Sequence, residues 1–131
     1  MKKTNSSYHA NAYKLYDLSY NLVPWSKIEY NIGNGFDNGV FTAPLNGIYF
    51  FNIHARTYSS KVTDIYLQVN GSDKSRSYHK NSDSRGYDTL NLSCQFKLQK
   101  GDIVNVRYEG TFFRPEYYQW NHFEGHLITE I

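Results

Sequence analysis

Residues 114–122 carry Tyr117, Tyr118 and Trp120 beside Arg114, Glu116, Gln119, Asn121 and His122. That mixture suits a sugar. A pyranose offers an apolar C–H face and a rim of hydroxyls, so its site pairs a flat aromatic surface with amide, hydroxyl or charged hydrogen-bonding groups. Tyr and Trp supply an apolar body with a polar tip. A second set, Tyr78, His79, Asp83, Arg85, Tyr87 and Asp88, has the same character. The candidate carbohydrate contacts from the two sets are Arg114, Tyr117, Tyr118, Trp120, Asn121, His122, Tyr78 and Asp88. Spacing alone does not choose between the segments.

Other chemistries fare worse. His122-x-x-x-His126 invites a metal reading, but in a strand the two rings share a face about 13 Å apart, at roughly 3.3 Å per residue. Zinc requires both nitrogens at about 2.0–2.1 Å, so the pair reads as outward-facing or interfacial. His9, His54 and His79 have no partner at ligand spacing. There is no Gly-x-Ser-x-Gly elbow, no His-Glu-x-x-His and no phosphate-cradling loop. Cys94 alternates with Leu92 and Phe96 on an apolar face, where a thiol is inert and packs as a small hydrophobe; the alternative is a thiol open to an intersubunit disulfide. No catalytic residue, metal ligand or cofactor is expected.

The elements that must carry these residues are strands. Residues 90–98 alternate apolar and polar, Gln99-Lys100-Gly101-Asp102 reads as a turn, and Val104, Val106 and Tyr108 continue the alternation; together they predict a hairpin. Tyr49, Phe51, Ile53 and Ala55 share one face of a strand over 47–58, opposite Phe50, Asn52, His54 and Arg56. Ile65, Leu67 and Val69 lead into Asn70-Gly71, a strong turn pair. Phe123, Gly125 and Leu127 alternate near the end. Turn chemistry at residues 33–35, 37–39 and 44–47 completes the rhythm of an all-β sandwich or barrel. Tyr49, Phe51, Phe41, Phe96 and Phe123 are the predicted core. Residues 72–88 and 109–122 break the pattern and read as loops, where binding residues usually sit.

Composition bounds the class. The chain has 131 residues, 18% of them aromatic, with thirteen tyrosines and thirteen asparagines. That length suits one domain, here spanning 1–131 with residues 1–9 expected as a disordered lead-in. A single cysteine excludes an intrachain disulfide. No segment approaches the ~20 apolar residues of a membrane span, and the aromatic content argues against disorder. A net charge of +2, dispersed along the chain, lacks the basic stripe of a nucleic-acid binder. The group Lys74, Arg76, Lys80 and Arg85 is interrupted by Asp73, Asp83 and Asp88 and reads as a solvated loop. The N-terminal Met1-Lys2-Lys3 has no apolar run behind it, so it is not a signal peptide. Either export does not use that route, or this chain is a mature or engineered form. Asn5, Asn70 and Asn91 begin Asn-x-Ser triplets, which suit glycosylation only in a secreted protein.

One run is specific. Gly39-x-Phe41-Thr42-Ala43-Pro44-x-x-Gly47-x-Tyr49-x-Phe51 resembles the signature of the globular head domain of complement subcomponent C1q. Residues 65–70, residues 90–108 and Phe123-x-Gly125-x-Leu127 agree with that family in order and spacing. The resemblance extends over nearly the whole chain from about Ala10. It implies a ten-stranded antiparallel jelly roll of the tumour-necrosis-factor type, usually a trimer, and non-catalytic recognition. Gly39 and Gly47 would hold turns open only to glycine. The sequence contains no Gly-x-y repeat like the collagen stalk of many members, and calcium, which the resemblance allows, is left without assigned residues. Stalkless invertebrate members, bivalve lectins especially, are the nearest analogy. The leading expectation is therefore a secreted, innate-immune lectin that binds glycans of microbial or cell surfaces as a homo-oligomer, trimer or dimer. It involves neither nucleic acid nor membrane insertion. The runner-up is a trimeric signalling or adhesion module of the same fold that binds a protein.

Overall fold

The computed structural model describes residues 6–11, 21–22, 27–59, 62–80, 86–110 and 121–131. They form eleven strands: β1 (Ser7–Asn11), β2 (Asn21–Leu22), β3 (Lys27–Ile32), β4 (Phe36–Asp37), β5 (Val40–Thr42), β6 (Gly47–Tyr58), β7 (Thr63–Val69), β8 (Ser72–His79), β9 (Tyr87–Leu98), β10 (Ile103–Glu109) and β11 (His122–Glu130). The first sheet runs β3-β1-β11-β6-β9 and the second β4-β5-β10-β7-β8, with the two-residue β2 added beside β10. All pairings are antiparallel. This is the expected ten-stranded all-β jelly roll, plus β2.

Alternation builds the core. Tyr49, Phe51, Ile53 and Ala55 point inward from β6, and Ile65, Leu67, Val104, Val106 and Tyr108 meet them from the second sheet, all essentially buried. Fully burying a side chain the size of Phe51, Ile53, Ile65, Leu67 or Val104 stabilises the fold by about 1.5–3 kcal/mol. At one end Tyr8 of β1 joins the sheets, its ring 4.5 Å from Phe36, 5.1 Å from Phe41 and 4.9 Å from Phe123. Tyr8 lies inside the segment expected as a disordered lead-in. For residues 7–9 that expectation is wrong, because β1 is clamped between β3 and β11. The surrounding Ser7 and His9 hide the signal, since they face outward.

Three further expectations need correction. The strands at 90–98 and 103–108 exist but are not a hairpin: β9 pairs with β6, whereas β10 pairs with β5 and β7. The turn between them crosses from one sheet to the other, tied by Gly101 N–H to Ala43 O at 2.8 Å and Ala43 N–H to Asp102 O at 2.9 Å. Residues 72–79, read as loop, form the edge strand β8, paired antiparallel with β7 with a register shift between Leu67 and Gln68. An edge strand is solvated on its free side, so its polar composition mimics a loop. Asn70 (φ 50°) and Gly71 (φ 82°) make the two-residue turn between β7 and β8, with the paired left-handed residues a twisted hairpin prefers. Gly39 has a positive φ of 79°, as expected, but Gly47 does not. A Cβ on Gly47 would lie 2.7 Å from the Thr129 carbonyl oxygen, so close backbone approach explains that glycine.

Candidate functional site

On the side of the second sheet away from the core, guanidinium and phenol groups alternate, with Arg107 and Tyr66 buried and Arg76 and Tyr78 exposed. Arg107, Tyr66 and Arg76 are directly opposed across β10, β7 and β8. The Arg107 guanidinium lies 4.1 Å from the Tyr66 ring centre and that of Arg76 5.3 Å from it. Arg76 also lies 5.2 Å from the ring of Tyr78, the next outward residue of β8, which is 50% exposed. Each arginine is matched. Arg76 Nε donates to Asp64 Oδ1 at 2.9 Å, and Arg107 Nη2 donates to Asp73 Oδ2 at 2.9 Å. Asp73 also accepts from Gln68 Nε2 at 2.8 Å. That amide first, and the Arg107 guanidinium second, hold the Asp73 carboxyl below its ordinary range. Of these groups Arg76, Tyr78 and Asp73 meet water, whereas Tyr66, Arg107 and Asp64 are buried, and each arginine is paired with a carboxylate.

At the end of the sandwich, Asp88 Oδ2 accepts from Ser59 Oγ at 3.0 Å and lies 3.5 Å from His79 Nε2. A serine, a histidine and an aspartate meet here, but the serine proton is directed at the carboxylate. A nucleophilic serine needs its proton directed at the imidazole, with the carboxylate behind it. The cluster ties β8 to β9 instead.

The outward face of the first sheet is different in kind. Tyr30 and Ile32 stand opposite His9 and Ser7 and are 47% and 53% exposed. Farther across, Phe50 packs on His126 with ring centres 5.3 Å apart. His122 stacks between His9 and His54. Burial first, then the neighbouring His54 and His9, hold the His122 imidazole below its ordinary pKa, with Glu124 acting in the opposite direction. Its Nδ1 is buried and has no hydrogen-bond partner among the described residues. The histidine stack escapes sequence spacing because its members come from three strands far apart in the chain.

A sequence model of the C1q domain matches residues 7–128. The chain belongs to the C1q domain family. The fold agrees: the globular domain of zebrafish complement 1qA protein superimposes with a TM-score of 0.76 at 14% identity, covering 97% of this chain and 99% of that one. Murine APRIL at pH 5.0 gives a TM-score of 0.70 at 14% identity, covering 95% and 99%, and murine APRIL at pH 8.0 gives 0.66 at 13%, with the same coverage. C1q and tumour-necrosis-factor-like domains typically form trimers, and C1q domains are typically extracellular binding modules without catalysis. Among the described residues no helix is long and apolar enough to cross a membrane.

Within this C1q domain the candidate sugar contacts are dispersed. Arg114, Tyr117, Tyr118 and Trp120 lie outside the described residues. Asn121 is fully buried, and its Oδ1 accepts the Arg56 backbone N–H at 2.9 Å. That corrects its assignment: it ties β11 to β6 and offers no surface to a sugar. His122 belongs to the stack on the first sheet, Asp88 to the end cluster, and Tyr78 to the ladder on the second sheet. Of the described candidates, Tyr78 alone stands on an aromatic, hydrogen-bonding platform. Its neighbours Tyr66, Arg76 and Arg107 are not among the candidates that the sequence singles out. The β7–β8 and β7–β10 registers bring them together, and only the alternation of β7 hinted at the face. Cys94 is part-buried against the core, and burial pushes its thiol up to about 11.

Proposed function

We propose that this C1q domain is a secreted, non-enzymatic lectin of the innate-immune pattern-recognition type, assembled as a homotrimer and binding surface glycans. One observation carries the sugar reading: half-exposed Tyr78 beside Arg76, with the guanidinium held between the Tyr78 and Tyr66 rings. The Tyr78 face suits the C–H side of a pyranose. The exposed Arg76 guanidinium and the Asp73 carboxylate suit its hydroxyls. Because the charges are matched within the ladder, the surface favours neutral hexoses over polyanions. Individual sites of this kind are weak, and an oligomer that presents several of them gains avidity of about 10²–10⁴-fold when the geometry permits joint engagement.

The test is a glycan array printed at several densities, probed with the wild type and with Tyr78→Ala. Density-dependent binding that Tyr78→Ala weakens tenfold or more is expected. No binding above background would sink the lectin reading. Binding that survives Tyr78→Ala unchanged would move the site to another surface. Capture of a protein partner that free sugars do not displace would favour the signalling or adhesion module.

A further inference from the structure

The turn between β7 and β8 is Asn70-Gly71, and Ser72 follows it. A side-chain amide with a hydroxyl two residues on, and no proline between, is the acceptor that N-linked glycan transfer requires. Val69 and Ser72 close the hairpin as a direct pair. Three hydrogen bonds fix Asn70. Its backbone N–H donates to Ile103 O at 2.9 Å, its Oδ1 accepts the Ile103 N–H at 3.0 Å, and its Nδ2 donates to Asp102 Oδ1 at 3.0 Å. The amide nitrogen carries two hydrogens, and the bond to Asp102 uses one of them. The other is left for a sugar to replace.

The tip also has room. Asn70 is exposed, and a Cβ added to Gly71 would meet no atom within 4 Å. The same holds at Gly101, in the β9–β10 turn that carries Asp102. Ile103, which holds Asn70 through both its backbone groups, is 39% exposed and gives the C–H face of a first sugar an apolar neighbour. A glycan is bulky and belongs at the surface. The other described sequon is built differently. Asn91 sits within β9, paired with His54. Leu92 beside it is buried in the core, and Ser93 Oγ donates to Asn52 Oδ1 at 2.6 Å. That backbone is extended and pinned along β6, so it cannot leave its ladder to enter an enzyme cleft. A hairpin tip protrudes and needs no such rearrangement. Asn5 lies outside the described residues.

We propose that Asn70, rather than Asn91, is an N-glycosylation site of this chain. The inference rests on the secreted reading above, because the transferase and its donor belong to the secretory route. The donor is an oligosaccharide linked to a lipid pyrophosphate. Asn70 Nδ2 forms a bond to the anomeric carbon of the sugar. The bond from that carbon to the pyrophosphate oxygen breaks, its electron pair leaves with the lipid pyrophosphate, and the amide gives one proton to a base of the transferase. Nothing is oxidised or reduced. The product keeps one N–H for Asp102 and its carbonyl oxygen for Ile103, so the turn stays tied to β10.

The test expresses the full chain behind a cleavable secretory leader in insect cells. Peptide N-glycosidase in heavy-oxygen water then converts each glycan-bearing asparagine to a mass-labelled aspartate. Trypsin cuts after Lys61, Lys74, Arg85 and Lys97, so Asn70 and Asn91 fall in separate peptides. The expected result is label at Asn70, its loss in Ser72→Ala and its return in Ser72→Thr, with circular dichroism unchanged throughout. Ser72→Ala removes the sequon hydroxyl and leaves Asn70 and its three hydrogen bonds in place. Label at Asn91 equal to or above that at Asn70, no label at either, or label at Asn70 that persists in Ser72→Ala would each overturn the inference and leave the secreted reading intact. Immunodetection of the chain only inside the cells that make it would instead overturn the secreted reading, and the inference with it.

Discussion

The imidazoles of His54 and His122 face each other across a directly opposed pair of β6 and β11, 4.9 Å apart and within 10° of parallel. Spacing along the chain does not reveal this pair; the β6–β11 register brings the two rings together. Their proximity links the chemistry of the face to the protonation of the folded chain.

The first consequence is a pH-dependent stability. In the unfolded chain an imidazole titrates near about 6.5, and in the folded chain burial, His54 and His9 hold His122 lower. Between those two points the unfolded state binds more protons, so stability rises with pH. The penalty is absent above the unfolded value and complete below the folded one. Thermal melts of wild type and His122→Gln should therefore diverge on acidification through about pH 6.5, with the wild type losing more. Parallel pH profiles would refute this.

Tyr8 is 1% exposed, and its hydroxyl has no hydrogen-bond partner among the described residues. A buried unsatisfied group costs about 1–3 kcal/mol. Tyr8→Phe keeps the ring contacts with Phe36, Phe41 and Phe123 while removing that group. Urea unfolding should show the variant at least as stable as wild type, by up to about 1 kcal/mol.

Gly125 → Ala should do the opposite. A Cβ there would lie 2.7 Å from Tyr8 Cε1 and 2.8 Å from Phe51 Cδ1, both in rings locked in the core. Overpacking of this kind costs about 1–3 kcal/mol. A variant with an unchanged denaturation midpoint would mean that the rings move aside freely.

Cys94, with its thiol pushed up to about 11, is almost wholly protonated at neutral pH. The thiolate is the reactive form, so iodoacetamide should label the folded protein far more slowly than the urea-unfolded chain. Equal rates would place the thiol in water. Reducing and non-reducing gels of the folded protein should likewise match.

Much of this architecture was legible because alternation is local. Tyr49, Phe51 and Ile53 declare their strand within a few residues, and Phe41-Thr42-Ala43-Pro44 declares the family. What was hidden depends on pairing over long separations. The run from Leu90 to Tyr108 reads as a hairpin because a turn joins two alternating segments. Only the packing of two sheets shows that the turn passes between them. Tyr8 was overlooked because one inward ring amid polar neighbours leaves no period. The ladder was half visible: Tyr78 was singled out from composition, whereas Tyr66, Arg76 and Arg107 needed the register to be seen as its neighbours. Asn121 was misread for the same reason, since its partner is the distant Arg56 amide.

The strand order also constrains how the molecule is made. β11, last of the described strands, lies between β1 and β6 in the first sheet, so Ser7 meets His126 across nearly the whole chain. During synthesis, β1 and β3 can pair with each other, and β6 with β9, but the two halves stay apart until the final strand emerges. Topologies dominated by such distant contacts fold slowly. The histidine stack and the surface around it therefore come into being in one late step, when β11 inserts between β1 and β6.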